Sequence, residues 1–213
     1  MRFNNIDIHS SNDSGLTELM RKESSHIIDM YFRLLKFYDN GNCKKLNISC
    51  HEQALQLCII SDRNGYITLQ APFCQNRFLP LSPKEKSCFY LNLIHQSVIF
   101  IGTQWGWNLE YFDFIRKQIV SSNFKNQWMH GKPSLSPLPN KTAYLRTVQT
   151  IDEASIFLII TQNQQTIRKI PVAVTEPTFW TYRQYLGKIC WLNDSQLQVV
   201  GKEGQIIFEA SGL

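Results

Sequence analysis

The stretch KKLNISCHEQALQLCIISDRNGYITLQA, residues 44–71, decides the fold class. It holds three runs rich in aliphatic and β-branched residues: Lys44–Cys50, Ala54–Ser61 and Tyr66–Ala71. Asp62-Arg63-Asn64-Gly65 separates the last two. Asn-Gly accepts the positive φ of a type I′ turn, so a β-hairpin is expected there. To the left, Leu16, Leu19, Met20, Ile27, Met30, Tyr31, Leu34 and Tyr38 recur at helical spacing behind the N-cap candidates Asp13 and Ser14. Asp39-Asn40-Gly41-Asn42 supplies a stop, with Gly41 suited to the left-handed position that follows a helix. To the right, Ser82-Pro83-Lys84-Glu85 reads as a capping box with proline at the first helical position. The run behind it (Phe89, Leu91, Leu93, Ile94, Val98, Phe100) is apolar nearly all round, and such a helix belongs inside a core. Periodicity alone leaves open a switch to strand near Ser97.

The same alternation continues toward the C-terminus. Gly102-Thr103-Gln104-Trp105-Gly106 makes a break, and Asn108 is placed to cap an amphipathic helix that runs to about Ser121. Its acids, Glu110 and Asp113, come early and its bases, Arg116 and Lys117, come late, which suits the helix dipole. Strand-like runs follow at Ala143–Gln149, Ser155–Thr161 and Thr166–Val174. Glu176-Pro177 opens a short helix ended by Gly187. An extended piece, Ile189–Leu192, leads into a hairpin with arms Gln196–Val200 and Gln205–Glu209. Near the N-terminus, Phe3, Ile6 and Ile8 nearly alternate, as in a short edge strand or a loose arm. The order is α-βββ-α followed by α-βββ-α-ββ. It predicts an α+β fold of mostly antiparallel sheets, with halves at 1–104 and 105–213 forming one compact body. Tyr31-Phe32-Arg33-Leu34-Leu35-Lys36 echoes Tyr111-Phe112-Asp113-Phe114-Ile115-Arg116, which raises a pseudo-duplication as one way to relate the halves.

Composition bounds the class. With 213 residues, 43% hydrophobic and 18% charged, the chain belongs with folded rather than disordered proteins. A formal net charge of +5 permits an acidic partner or nucleic acid and demands neither. The N-terminus runs into polar residues where a signal peptide needs an apolar segment. The longest apolar run, Cys88 to Ile101, is broken by Asn92, His95, Gln96 and Ser97, so no membrane span is expected and the setting is read as cytoplasmic. Cys43, Cys50, Cys58, Cys74, Cys88 and Cys190 form no C-x-x-C and are read as free thiols, mostly buried.

Cys50-His51-Glu52 contains the ingredients of nucleophilic catalysis. Successive residues of an extended chain point to opposite faces, however, and a thiolate–imidazole pair needs contact at about 3 Å. The trio is therefore read as a buried Cys50 beside a turn with His51 and Glu52 exposed. Cys74, in a proline-flanked loop, is better placed to react but has no evident base. His95 is read as a core histidine with a backbone or side-chain acceptor, and His26 with Glu23 and Asp29 as a surface ion cluster. No G-x-x-x-x-G-K-[ST], G-x-G-x-x-G or G-x-S-x-G is present. The expectation is a protein that is not an enzyme and uses no cofactor or metal. Trp105-Gly106-Trp107 and the nearby Tyr111, Phe112 and Phe114 are read as a hub where helices meet, since Leu109, Phe112 and Ile115 share one helical stripe.

Function rests on the distribution of charge. Between Phe114 and Ile151 lie Arg116, Lys117, Lys125, Lys132, Lys141, Arg146 and His130, with no acidic residue. Within this window 121–141 lacks periodicity and reads as a basic aromatic loop bearing Phe124 and Trp128. The predicted partner-binding residues are Arg116, Lys117, Phe124, Lys125, Trp128, His130, Lys132, Lys141 and Arg146. An aromatic anchor amid positive charge suits docking onto another protein with an acidic surface. The role expected is that of an adaptor, chaperone-like subunit, immunity factor or assembly component. Two alternatives belong to other classes. One is nucleic-acid binding by the same segment, with the aromatics stacking on bases. The other is a thiol-dependent enzyme using Cys50 or Cys74.

Overall fold

The computed structural model describes all residues except 1–4, 36–42 and 138–139. The expected helix stop at Asp39-Asn40-Gly41-Asn42 lies outside the described residues. Contacts divide the chain into two compact units, Met1–Phe124 and Lys125–Leu213.

The first unit opens with β1 (Asn5–Ser10), α1 (Ser14–Leu34) and β2 (Lys45–His51). Next come β3 (Cys58–Arg63), β4 (Tyr66–Pro72), a single-turn α2 (Gln75–Phe78), α3 (Pro83–Trp105) and α4 (Leu109–Ser121). Its sheet has the order β1-β2-β4-β3. β1 pairs with β2, and β2 with β4, in parallel, while β3 and β4 form the antiparallel hairpin. Asn64 (φ 54°) and Gly65 (φ 84°) make the turn that their sequence predicts. Alternation fixes the register. Ile6, Ile8, Leu46, Ile48, Cys50, Ile67, Leu69 and Ala71 are buried on one face, and a one-residue slip would turn them all outward. The three long helices touch one another pairwise. They bury Met20, Ile27 and Tyr31 from α1, Tyr90, Leu91, Ile94 and Val98 from α3, and Phe112, Ile115 and Ile119 from α4. Asp13 caps α1 through a 2.9 Å bond from Leu16 N–H. In the capping box of α3, Glu85 Oε2 accepts from Ser82 N–H at 2.8 Å. α3 stays helical past Ser97 and ends at Gly106, which takes the left-handed conformation (φ 69°).

The second unit is built from β5 (Asn126–Leu135), β6 (Lys141–Gln149), β7 (Ala154–Gln162), β8 (Gln165–Thr175), the short α5 (Phe179–Tyr182), a 3₁₀ turn (Arg183–Tyr185), β9 (Lys188–Asn193), β10 (Gln196–Val200) and β11 (Ile206–Ser211). β5-β6-β7-β8 is an antiparallel meander, and β11-β10-β9 is a second antiparallel sheet. Leu145, Ile156, Leu158 and Ile160 from the first sheet share a core with Ile189, Leu197 and Val199 from the second and with Tyr182 of α5. Both inner faces thus bury their aliphatic side chains against each other.

The fold is α+β with mostly antiparallel pairing. Parallel pairs are confined, among the described strands, to β1–β2 and β2–β4. Three expectations are corrected. The units meet at Phe124/Lys125 rather than at residues 104/105, because α4 packs on α1 and α3. Residues 121–141 do not form a loop: most of them make β5, paired with β6. The echo between 31–36 and 111–116 has no counterpart in topology. Residues 31–34 and 111–116 lie in helices of the same unit, and the two meanders differ in strand order and direction.

Candidate functional site

β5 carries the irregularity from which the candidate site is built. Its pairing with β6 runs to His130↔Leu145 and resumes at Ser134↔Ala143, so β5 spends two more residues than its partner. Such a bulge bends the strand and re-aims its side chains. Gly131 adopts φ +68°, a conformation costly for residues with a side chain. Pro133, two residues on, has no N–H to donate to a ladder. The bulged stretch borders the start of β9 and the end of β10. Trp191 Nε1–H donates to the Ser134 carbonyl at 3.2 Å and ties β9 to β5. At Gly187 a Cβ would lie 2.5 Å from the Val200 carbonyl oxygen, so only glycine lets the chain enter β9 this close to β10.

The result is a cleft of ≈ 450 Å³. His130 and Lys132 reach it from β5, Lys188 from β9, and Lys202 from just beyond β10. Pro133, Leu186, Ile189 and Val200 supply apolar wall. No carboxylate lines it. Burial, and then the neighbouring Lys202 charge, hold the His130 imidazolium below its ordinary pKa. The site is therefore electropositive, partly desolvated and without an internal counter-ion, which is chemistry suited to receiving an anion.

The nine sequence-predicted residues separate. Arg116 and Lys117 lie on the exposed side of α4 in the first unit, with Arg116 Nη2 donating to Asn92 Oδ1 at 3.1 Å. Phe124 is buried. Lys125 is exposed at the start of the second unit. Trp128 is half-buried with its ring 5.8 Å from that of Tyr182, packed on the core rather than presented to a partner. Lys141 Nζ donates to the carbonyls of Leu213 (2.9 Å) and Asp194 (3.3 Å). Arg146 Nη2 donates to Gln127 Oε1 at 2.7 Å. His130 and Lys132 are the two that line the cleft. Lys188 and Lys202 went unseen because they stand far downstream, one opening a strand and the other in an ordinary hairpin turn. A signal was present nonetheless: Gly131-Lys132, Gly187-Lys188 and Gly201-Lys202 are the three Gly-Lys pairs of the whole sequence, and all three border this cleft.

In the first unit, Cys50, His51 and Glu52 diverge as alternation requires. Cys50 is buried and its thiol is pushed up to about 12 by that burial. His51 Nε2 lies 3.0 Å from Ser49 Oγ, and Glu52 Oε1 accepts from Gln75 N–H at 3.2 Å. Cys74 is exposed at the rim of an apolar cleft of ≈ 420 Å³ whose floor is Phe73, Phe78 and Phe89. His95 Nε2 lies 3.1 Å from Asp113 Oδ1, a side-chain acceptor supplied by α4. His26 corrects the sequence reading. It is buried, with Nδ1 donating to the Glu23 carbonyl at 2.8 Å and Nε2 3.1 Å from Ser87 Oγ, and is no part of a surface cluster. The aromatic hub is present, with Trp107 edge-on to Trp105 and tilted against Phe112 at 5.7 Å each, although Phe114 faces outward. Among the described residues no helix is long and apolar enough to cross a membrane. Comparison with known proteins finds no matching family, no similar curated protein and no similar solved structure.

Proposed function

We propose that this chain is a non-catalytic protein-interaction module that docks an acidic segment of another protein in the second unit's cleft. The observation that carries the reading is the convergence of Lys132, Lys188 and Lys202, with His130, on a space whose lining holds no carboxylate. Apolar wall beside the lysines suits a peptide, which brings hydrophobic neighbours along with its charge. Exposed lysines at the rim raise the encounter rate with an acidic partner and make it salt-sensitive. Base stacking, the other use of a basic aromatic segment, has less support. Phe124 is buried and the Trp128 ring is occupied by Tyr182. The unpaired cysteines suit a reducing, cytoplasmic setting.

The test is affinity capture from native lysate with the wild-type chain and with a variant carrying Lys132→Glu, Lys188→Glu and Lys202→Glu. The substitutions are at exposed positions, so the variant should keep its circular dichroism spectrum and melting temperature. A protein captured by the wild type, resistant to nuclease and lost with the variant, is the expected result. Equal capture by both chains would remove the cleft from the binding surface, and recovery that vanishes with nuclease would transfer it to nucleic acid.

A further inference from the structure

Three Gly-Lys pairs, 131–132, 187–188 and 201–202, stand far apart in sequence and border one cleft. Building on the docking reading above, we propose that the group this cleft receives is a phosphoryl group on the partner, a phosphorylated serine or threonine side chain, in preference to a carboxylate. The first argument is the kind of cation. The lining contains three lysines and no arginine. Lysine binds phosphate as a point charge rather than through a matched fork, so what the lining offers an anion is summed positive charge. Lys132, Lys188 and Lys202 come from three different chain segments and border one cleft with no carboxylate among them. That arrangement suits a tetrahedral group with three terminal oxygens and close to two negative charges.

The second argument is what the glycines do. Gly187 has no room for a side chain against the Val200 carbonyl, where a Cβ would lie 2.5 Å from a backbone oxygen. The absence of a side chain there lets the start of β9 lie against the end of β10, where Lys188 pairs with Val200, two residues before Lys202. Gly131 differs: nothing lies within 4 Å of where its Cβ would sit, and its φ is +68°. Its backbone therefore lies open beside the cleft, where an anion can come close. Ser134 adds a neutral donor to the lining. The neutral His130 supplies one ring N–H and can take up a proton when a dianion arrives.

The test uses three short peptides of sequence Ala-Val-X-Val-Ala, blocked at both ends, with X phosphoserine, glutamate or serine. Binding is read by chemical-shift perturbation of the Gly131, Gly187 and Gly201 amides and the His130 ring, with inorganic phosphate and acetate as separate competitors. Phosphoserine should bind about tenfold more tightly than glutamate, the effect expected of roughly one further charge in a partly desolvated site. Lys188→Gln and Lys202→Gln should each weaken the phosphopeptide several-fold while leaving the spectrum of the folded chain in place. Inorganic phosphate should compete and acetate should not. Glutamate binding as tightly as phosphoserine would overturn the phosphoryl assignment and leave the acidic-docking reading standing. Neither charged peptide perturbing the cleft would overturn both. If inorganic phosphate shifts the cleft signals but the phosphopeptide does not, the site takes a free anion and the proposal of a partner side chain fails.

Discussion

Burial without a counter-ion keeps His26 neutral, its pKa pushed down to about 4 by desolvation. The unfolded chain binds a proton at this position near pH 6.5, so between those values the unfolded state holds more protons than the folded one. The stability contributed by neutral His26 is full above about pH 6.5 and is lost as pH falls toward 4, by about 3 kcal/mol at most. We expect urea midpoints of the first unit to fall over that interval, and His26→Gln to flatten the slope; equal slopes for both chains would contradict the assignment. A second expectation concerns space alone. Gly187→Ala puts a methyl group 2.5 Å from a backbone oxygen that is held by pairing, which should cost about 1–3 kcal/mol in denaturant melts, the range for overpacking. At this scale the sequence was half legible. Asn64-Gly65 named its own turn, while His26 looked like a surface residue because Glu23 and Asp29 flank it. What buries His26 is α3, presenting Ser87 from 61 residues away.

Helix ends were the most readable elements, because caps are local chemistry. Asp13, Ser82 and Asn108 all stand where the sequence places them. Ser82→Ala removes the hydroxyl that the Glu85 amide and carboxylate share, and thermal melts should show a loss of about 1 kcal/mol. β5 was the unreadable element for an equally physical reason. Its inward position Asn126 is polar and buried, satisfied by Gln149 Oε1 at 2.7 Å, so of the inward positions Asn126, Trp128 and His130 one alone is apolar. Beyond it the Gly131–Pro133 bulge breaks the period. A strand that buries an amide and then bends leaves no pattern for period-two reading to find.

Each unit has its own hydrophobic centre, and this was not legible from the sequence boundary at 104/105, since nothing local in α4 says which helices it joins. The second unit's core draws on both of its sheets and on α5 without residues from 1–124. We therefore expect a chain of residues 125–213 to unfold cooperatively when expressed alone. In it, Leu158→Ala, at a fully buried site, should lower stability by about 2–5 kcal/mol. A fragment with no sigmoidal denaturation curve would show that the core needs more than these residues. The candidate cleft was likewise only partly visible. His130 and Lys132 fell inside the acid-free window, but Lys188 and Lys202 join them only through the β9–β10 hairpin.

The meander ends at β8, an edge strand with one neighbour. Pro171, opposite Phe157 and beside a bulge, interrupts the row of amide donors along it, and Arg168 and Lys169 add like charge three and two residues before. An unguarded edge would recruit a second copy of itself and grow into cross-β fibrils. β8 spoils that template, so the longest of the described strands closes the route to a fibre along its edge by its own composition.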